Sequence, residues 1–118
     1  MNANKIMTVF AAIEAAAALN PEGFTISAQT FAPVSTGYAV AVKGTQNSFG
    51  AAGMARVAAY ICKHPEINAV GGWMDSETGK YYFDATIIVS DLNEALRLGR
   101  ENEQIAIFNL DTFEEIRL

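Results

Sequence analysis

Asn93, Arg97 and Arg100 are spaced so that they share one stripe of a predicted helix. Asp91 has N-cap character and Glu94 follows three residues later, the pattern of a capping box, so Asn93 falls in the first helical turn. Free N–H groups in a first turn attract anions, and the amide of Asn93 can donate and accept hydrogen bonds. The stripe therefore indicates a phosphate-binding surface or, as the plainer alternative, a solvated face with a Glu94–Arg97 ion pair.

A second polar group surrounds the start of the middle helix. The loop Thr45-Gln46-Asn47-Ser48 precedes this helix and could cradle a phosphate, but it matches no known phosphate-loop pattern. We expect a plain loop with a helix cap instead. Arg56 lies on the helix face opposite the apolar stripe, near Gly53, and is free to approach a ligand or a neighbouring subunit. Ordinary solvent exposure of Arg56 is the alternative.

Aromatic residues cluster on one predicted strand. Strand alternation puts Phe83 on the face of Tyr81, which favours a core position, and puts Tyr82 and Asp84 on the other face. Three consecutive aromatics leave at least one ring outside that core. Stacking on a base contributes about 1–3 kcal/mol, so such a ring could anchor a nucleotide. For Trp73 we expect a packing or interface role before a stacking role.

The side chains needed for catalysis are sparse. His64 precedes Pro65 at a helix end, where capping explains it, and Cys62 resembles a small apolar residue. No serine, histidine and carboxylate set has a recognisable spacing, and no histidine or cysteine cluster suits a transition metal. We therefore expect no catalytic role and no cofactor. A small nucleotide-processing enzyme is kept as an alternative, ranked after the two interpretations given below.

The chain length, net charge and cysteine count limit the class of protein. The chain has 118 residues, which fits a single domain over 1–118. A net charge of −5 and a pI near 4.7 argue against binding of DNA or RNA polymers, which needs a basic surface. One cysteine excludes an internal disulfide and favours a reducing cytoplasm. No apolar run approaches the roughly 20 residues of a membrane span, so we expect no membrane contact.

These residues are carried by an alternation of helices with pairs of strands. The predicted order is α-β-β-α-β-β-α-β, which indicates an α+β fold with a mostly antiparallel sheet and packed helices. The predicted helices are Ala3–Leu19, a second that follows the segment Gly44–Gly50 and ends at His64-Pro65, and Leu92–Glu103. The second helix has a predicted buried stripe at Met54, Val57, Ala58 and Ile61. The predicted strands are Phe24–Phe31, Gly37–Lys43, Ala69–Met74, Lys80–Val89 and Gln104–Leu110, with a closing segment Glu115–Leu118.

Three stretches carry a family resemblance: Gly71-Gly72-Trp73, Thr78-Gly79-Lys80-Tyr81-Tyr82-Phe83-Asp84, and Leu98-Gly99-Arg100-Glu101-Asn102 leading into Gln104-Ile-Ala-Ile-Phe108. In these the chain resembles the phage Thoeris anti-defence proteins, type one of the Tad group. The resemblance covers the C-terminal half, while the first half matches mainly in the order of its elements.

What the resemblance implies is sequestration. Proteins of this family bind the cyclic ADP-ribose isomers made by bacterial TIR-domain enzymes and leave them intact, and some also bind cyclic oligonucleotides in a hexamer built from dimers. By that similarity Phe83 stacks on the adenine, Asn93 contacts the ligand and Arg56 holds phosphate. A further arginine from a neighbouring subunit has two candidates, Arg100 and Arg117. Asp84 and Arg97 complete the expected ligand-binding residues.

The main alternative is a structural or protein-interaction module of a mobile element. In that case Trp73 and the tyrosines form a surface for a partner and the arginines are only solvated. Under either interpretation, the glycines and aromatics of the hairpin and the small residues of the middle helix predict a homodimer or a larger homo-oligomer.

Overall fold

A computed structural model describes residues 3–118, which form three α-helices and seven β-strands of an α+β fold. The helices are α1 (Ala3–Leu19), α2 (Gly50–Lys63) and α3 (Leu92–Glu101). The strands are β1 (Gly23–Ser27), β2 (Tyr38–Ala41), β3 (Ser48–Phe49), β4 (Ala69–Asp75), β5 (Lys80–Val89), β6 (Ala106–Asn109) and β7 (Glu114–Arg117). A 3₁₀ turn over Lys43–Thr45 separates β2 from β3.

All seven strands belong to one antiparallel sheet, as predicted. Its order is β1-β4-β5-β2-β6-β7, and β3 pairs with β5 beyond the end of β2. The central hairpin pairs β4 with β5 over seven residues, from Ala69 opposite Thr86 to Asp75 opposite Lys80. This register places Gly72 beside Phe83 and Gly71 beside Asp84 on opposite faces of the sheet.

The three helices cover the same face of the sheet. Helices α1 and α2 pack on Val70, Phe83 and Ala85, and the same core includes the partly buried Ile87. Ile87 is paired across the strands with Val40, which packs against α3. Because paired residues in an antiparallel sheet point to the same side, the opposite side carries no helix. We call that side the open face.

The apolar periodicity of α1 and α2 produces this core as expected. Val9 and Ile13 of α1 are buried, with Ile6, Phe10 and Ala17 partly buried against them. In α2 the buried positions are Gly53, Val57, Ala58 and Ile61, while Met54 is only partly buried. The stripe was therefore predicted correctly except that Gly53 replaces Met54 at the closest approach to the sheet.

Several element boundaries differ from the prediction by one to four residues, and local contacts explain two of these differences. Strand β1 ends at Ser27 instead of Phe31, because the Ser27 hydroxyl accepts hydrogen bonds from the backbone of Gln29 and Thr30 and turns the chain. Helix α3 ends at Glu101 instead of Glu103, since Glu103 has a φ of 55°, outside helical geometry.

No helix in the described part of the chain is long and apolar enough to cross a membrane.

Candidate functional site

A small cavity of about 170 Å³ lies where β3 passes into α2. We call it the α2 site; its lining residues are Asn47, Ser48, Phe49, Ala52, Gly53 and Arg56. Thr45 fixes the loop that precedes this site. It is fully buried, and its hydroxyl accepts a hydrogen bond of 3.0 Å from the backbone N–H of Ala85. The hydroxyl of Ser48 in turn donates to the Thr45 carbonyl at 2.7 Å. The loop is therefore fixed against β5.

Arg56 lies in this site with its charge uncompensated. Its guanidinium donates to the carbonyl oxygens of Gln46 at 2.8 Å and Gly44 at 3.1 Å, and to the Ser48 hydroxyl at 3.2 Å. These partners are neutral oxygens, and no carboxylate among residues 3–118 forms an ion pair with Arg56. The predicted Arg56 is thus pre-positioned, exposed and available to an anion.

The first turn of α2 lacks the predicted side-chain cap. The N-cap residue is Phe49, which offers no hydrogen-bond acceptor, and the Ser48 hydroxyl is directed to the preceding turn. The first N–H groups of a helix have no partner within it, so this turn presents uncapped amides beside Arg56. The expectation of a plain capped loop was wrong at this point.

Exposed aromatic rings continue from the α2 site onto the open face. The Phe49 ring is 41% exposed and meets Tyr82 edge-on, with ring centroids 5.6 Å apart. Tyr82 stacks on Trp73 at 5.2 Å, and the Lys80 ammonium lies 4.3 Å from the Phe49 centroid. We call Phe49, Tyr82 and Trp73 the aromatic row. A cationic group and flat rings therefore stand side by side next to the α2 site.

Phe83 does not belong to this surface. Its side chain is 1% exposed and packs against Phe24 and Tyr81 beneath α1 and α2. A ring enclosed by the core has no free face for a purine, so the stacking role implied by the resemblance is corrected to a core role. Strand alternation had already placed Phe83 on the inner face, and the aromatic residue that lines the α2 site together with Arg56 is Phe49.

The polar stripe of α3 is mainly a solvated helix face. Asp91 caps the helix by accepting a 2.9 Å hydrogen bond from the Glu94 backbone, as predicted. Arg97 forms ion pairs with Glu94 and Glu101, and its hydrogen bonds lower the pKa of Glu94. Asn93 and Arg100 are exposed. The plainer alternative is therefore correct for Arg97, which is not free to hold a ligand phosphate.

A larger cavity, of about 620 Å³, occupies the open face. We call it the open-face groove. Its floor consists of small residues on four strands, and its walls carry Trp73, Phe108 and Phe113. Residues that line the floor include Thr25, Ala39, Ala41, Gly71, Asp84 and Thr86. Sequence patterns did not reveal this groove, because its small residues come from strands distant in sequence and match no motif.

Asp84 lies in the floor of the groove, and burial raises its pKa to about 6. Arg56 and Asp84 line different cavities, and Asn93, Arg97 and Arg100 line neither of the two. The chain by itself therefore does not assemble the six predicted ligand residues into one pocket.

The raised pKa of Asp84 predicts a pH-dependent stability. The folded carboxyl keeps its proton up to about pH 6, whereas an unfolded aspartate loses it near 3.9, so stability from this group falls as pH rises between those values. We expect Asp84→Asn to remove this loss. Urea denaturation at pH 4 and at pH 7.5 gives the difference in free energy of unfolding between Asp84→Asn and wild type. This difference should be about 1–2 kcal/mol larger, in favour of the variant, at pH 7.5.

Glu115→Gln, at the rim of the same groove, is the control for removing a negative charge. If the Asp84→Asn protein differs from wild type by the same amount at both pH values, the carboxyl is not desolvated in the folded state.

The remaining candidate for chemistry, His64, makes contacts with neighbouring side chains. His64 stacks on Tyr60 at 3.9 Å and lies 3.4 Å from a Glu66 carboxylate oxygen. Among the described residues, no group of three or more His, Cys, Asp or Glu is placed to hold a metal ion.

Comparison of the chain with protein-family models, curated proteins and solved structures finds no match.

Proposed function

We propose that this protein binds a purine nucleotide with a pyrophosphate, of the cyclic ADP-ribose class, and sequesters it without cleavage as a phage anti-defence protein. The observation that carries the proposal is the α2 site, where an uncompensated arginine, uncapped helix amides and an exposed aromatic ring adjoin one another. The resemblance supplies the ligand class and the phage context.

The phosphate part of the ligand fits the first turn of α2. Arg56 is oriented by three neutral oxygens, so its charge is available without rearrangement of the loop. Helix amides and a guanidinium group are the donors that phosphate oxygens prefer in proteins. The Lys80 ammonium, which lies over one face of the Phe49 ring, adds a second positive charge and leaves the other face for a base.

The base part of the ligand fits Phe49. This ring is exposed, lies in the same cavity as Arg56 and is braced edge-on by Tyr82. Phe49 thus takes the stacking role that the resemblance had given to Phe83. Residues on α3 and β7, namely Asn93 with Arg100 or Arg117, would complete the pocket from a neighbouring subunit of a homodimer or hexamer.

Sequestration is favoured over turnover by the chemistry of the α2 site. Its one hydroxyl, on Ser48, donates to the Thr45 carbonyl and accepts from Arg56. A nucleophile needs an adjacent base that removes its proton, and neither of these partners can act as one. A bound nucleotide should therefore leave the site unchanged.

The test is calorimetry with cyclic ADP-ribose isomers and cyclic di- and trinucleotides. We expect Phe49→Ala to weaken binding of the best ligand by about ten- to a hundredfold through lost stacking, and Arg56→Gln by a similar factor through the lost charge. Phe113→Ala is the matched control, because this ring is 77% exposed but lies outside the α2 site. Its affinity should equal that of wild type.

Three outcomes would contradict the proposal in different ways. No binding of any of these nucleotides would favour the protein-interaction module, for which the aromatic row would be the contact surface. A cleaved nucleotide recovered after heat denaturation would identify an enzyme. A 12.7 kDa monomer in light scattering with ligand bound would refute the contribution of a neighbouring subunit.

A further inference from the structure

The open-face groove lies on the side of the sheet opposite the helices and has a different chemical character from the α2 site. We propose that it binds a second, cationic ligand: a protonated amine with an apolar body of about the size of one aromatic ring, whose ammonium group meets the Asp84 carboxylate.

The Asp84 carboxylate has no partner of its own. Among residues 3–118, no side-chain hydrogen bond or ion pair involves it. Thr86 lies next to it, but the Thr86 hydroxyl donates to the Asp84 backbone carbonyl at 3.4 Å and so presents lone pairs to the groove. Two acceptors therefore stand together without a donor. An ammonium group, which has only donors, is the complementary ligand group.

Gly71 keeps the carboxylate accessible from the groove. A Cβ atom at this position would lie 3.4 Å from the Thr86 hydroxyl oxygen and 3.7 Å from Oδ2 of Asp84. Because glycine has no side chain, that space stays open directly over the two acceptors. Any other residue at position 71 would narrow the approach to Asp84.

The rest of the groove fits the apolar body of such a ligand. Its volume of about 620 Å³ lies within the usual 300–1,000 Å³ of small-molecule sites. Ala39 and Ala41 form an apolar floor, and Trp73 and Phe108 offer ring faces at the walls. Aromatic faces attract cations as well as apolar groups, so both parts of the ligand find complementary surface.

Charge separates this ligand from the nucleotide of the α2 site. No lysine or arginine lines the groove, and its two charged residues, Asp84 and Glu115, are both acidic. A phosphate there would meet repulsion. A second copy of the chain is also a poor occupant, because a symmetric contact over the groove would desolvate two Asp84 carboxylates without a counter-charge.

Trp73 provides the readout, since it is the only tryptophan of the chain and lies in the groove wall. We would titrate the protein with 2-phenylethylamine, with 2-phenylethanol as the neutral analogue and with phenylacetate as the anionic one, and follow Trp73 fluorescence excited at its red edge. The amine should bind at least about fivefold more tightly than the alcohol, because its hydrogen bond to the carboxylate is charge-assisted. Phenylacetate should bind least.

Asp84→Asn should abolish the preference for the amine, so that the variant binds 2-phenylethylamine and 2-phenylethanol with about equal affinity. This substitution keeps the shape of the side chain and removes a desolvated charge, so the variant should fold. Glu115→Gln at the rim is the matched control and should retain the preference.

Equal affinities for amine and alcohol in the wild-type protein would overturn the proposal. A preference that survives Asp84→Asn would overturn it as well. So would light scattering that shows a dimer whose dissociation on dilution changes Trp73 emission, because the groove would then be an interface between copies. None of these results depends on nucleotide binding at the α2 site.

Discussion

Replacement of Phe83 by alanine is expected to lower the free energy of unfolding by about 3–5 kcal/mol, because a large ring is removed from a closed core. The ring is 1% exposed, stacks on Tyr81 with centroids 5.1 Å apart and lies 6.3 Å from Phe24. The ring is enclosed by side chains of α1, α2 and the sheet, so its removal leaves a cavity that these elements can refill only in part. The melting temperature should fall by roughly 10–20 °C, as measured by calorimetry and urea denaturation of the empty protein.

The matched control is Phe49→Ala, which removes the same ring from an exposed position. Its free energy of unfolding should change by about 1 kcal/mol or less, because the ring is 41% exposed and its removal leaves no closed cavity. The two variants therefore separate the core ring from the ligand ring. If Phe83→Ala retained wild-type stability and lost nucleotide binding, the core assignment would be wrong and the role implied by the resemblance would be restored.

Phe83 received two different predictions from the sequence, and only one of them was correct. The alternation Tyr81, Phe83, Ala85 reflects strand geometry, and it correctly predicted a core residue. The stacking role came from a resemblance in local sequence. A resemblance predicts the role of a residue only if the backbone around that residue has the same strand register in both proteins. Alternation, by contrast, depends on the geometry of the strand alone.

The boundaries of two elements followed fully from short-range patterns. Helix α1 and strand β5 have the predicted limits, because an apolar stripe followed by proline and glycine, or a long β-branched run after a turn, leaves little freedom. Strand β3 was not predicted, and β7 was predicted only as a closing segment, Glu115–Leu118, without a strand assignment. β3 has only two residues and β7 reads Glu-Glu-Ile-Arg, so neither has a pattern of its own, and both exist through pairing with β5 and β6.

The candidate sites were predictable only in part for the same reason. Arg56 could be recognised from the helix pattern, but the exposed ring beside it, Phe49, depends on a two-residue strand. The open-face groove depends on strand order, since it joins Thr25 of β1, Ala41 of β2 and Asp84 of β5. Strand order is set by contacts between distant segments, and no local pattern encodes it.

Gly53→Ala is expected to destabilise the protein by about 2–3 kcal/mol, although the same change in an exposed helix stabilises by about 1 kcal/mol. A Cβ atom at Gly53 would lie 2.5 Å from the carbonyl carbon of Ser48 and 3.2 Å from its Cα. These are backbone atoms of β3 and cannot rotate away, so α2 must move off the sheet. The movement would also lengthen the 3.2 Å contact from Arg56 to the Ser48 hydroxyl and weaken nucleotide binding.

Gly99→Ala is the matched control, because Gly99 is also a buried helical glycine whose Cβ position is crowded. There the nearest atoms belong to side chains, Cδ1 of Leu118 at 2.6 Å and Cγ2 of Ile107 at 2.9 Å. The Leu118 side chain is 37% exposed and can turn away, and the gain in helix propensity offsets much of the cost. Urea denaturation should place Gly99→Ala within about 1 kcal/mol of wild type. Equal losses in the two variants would show that α2 is not held against β3 by the close approach at Gly53. If the free energy of unfolding of Gly53→Ala is much lower than that of Gly99→Ala, the α2 site rests on a rigid contact between helix and strand.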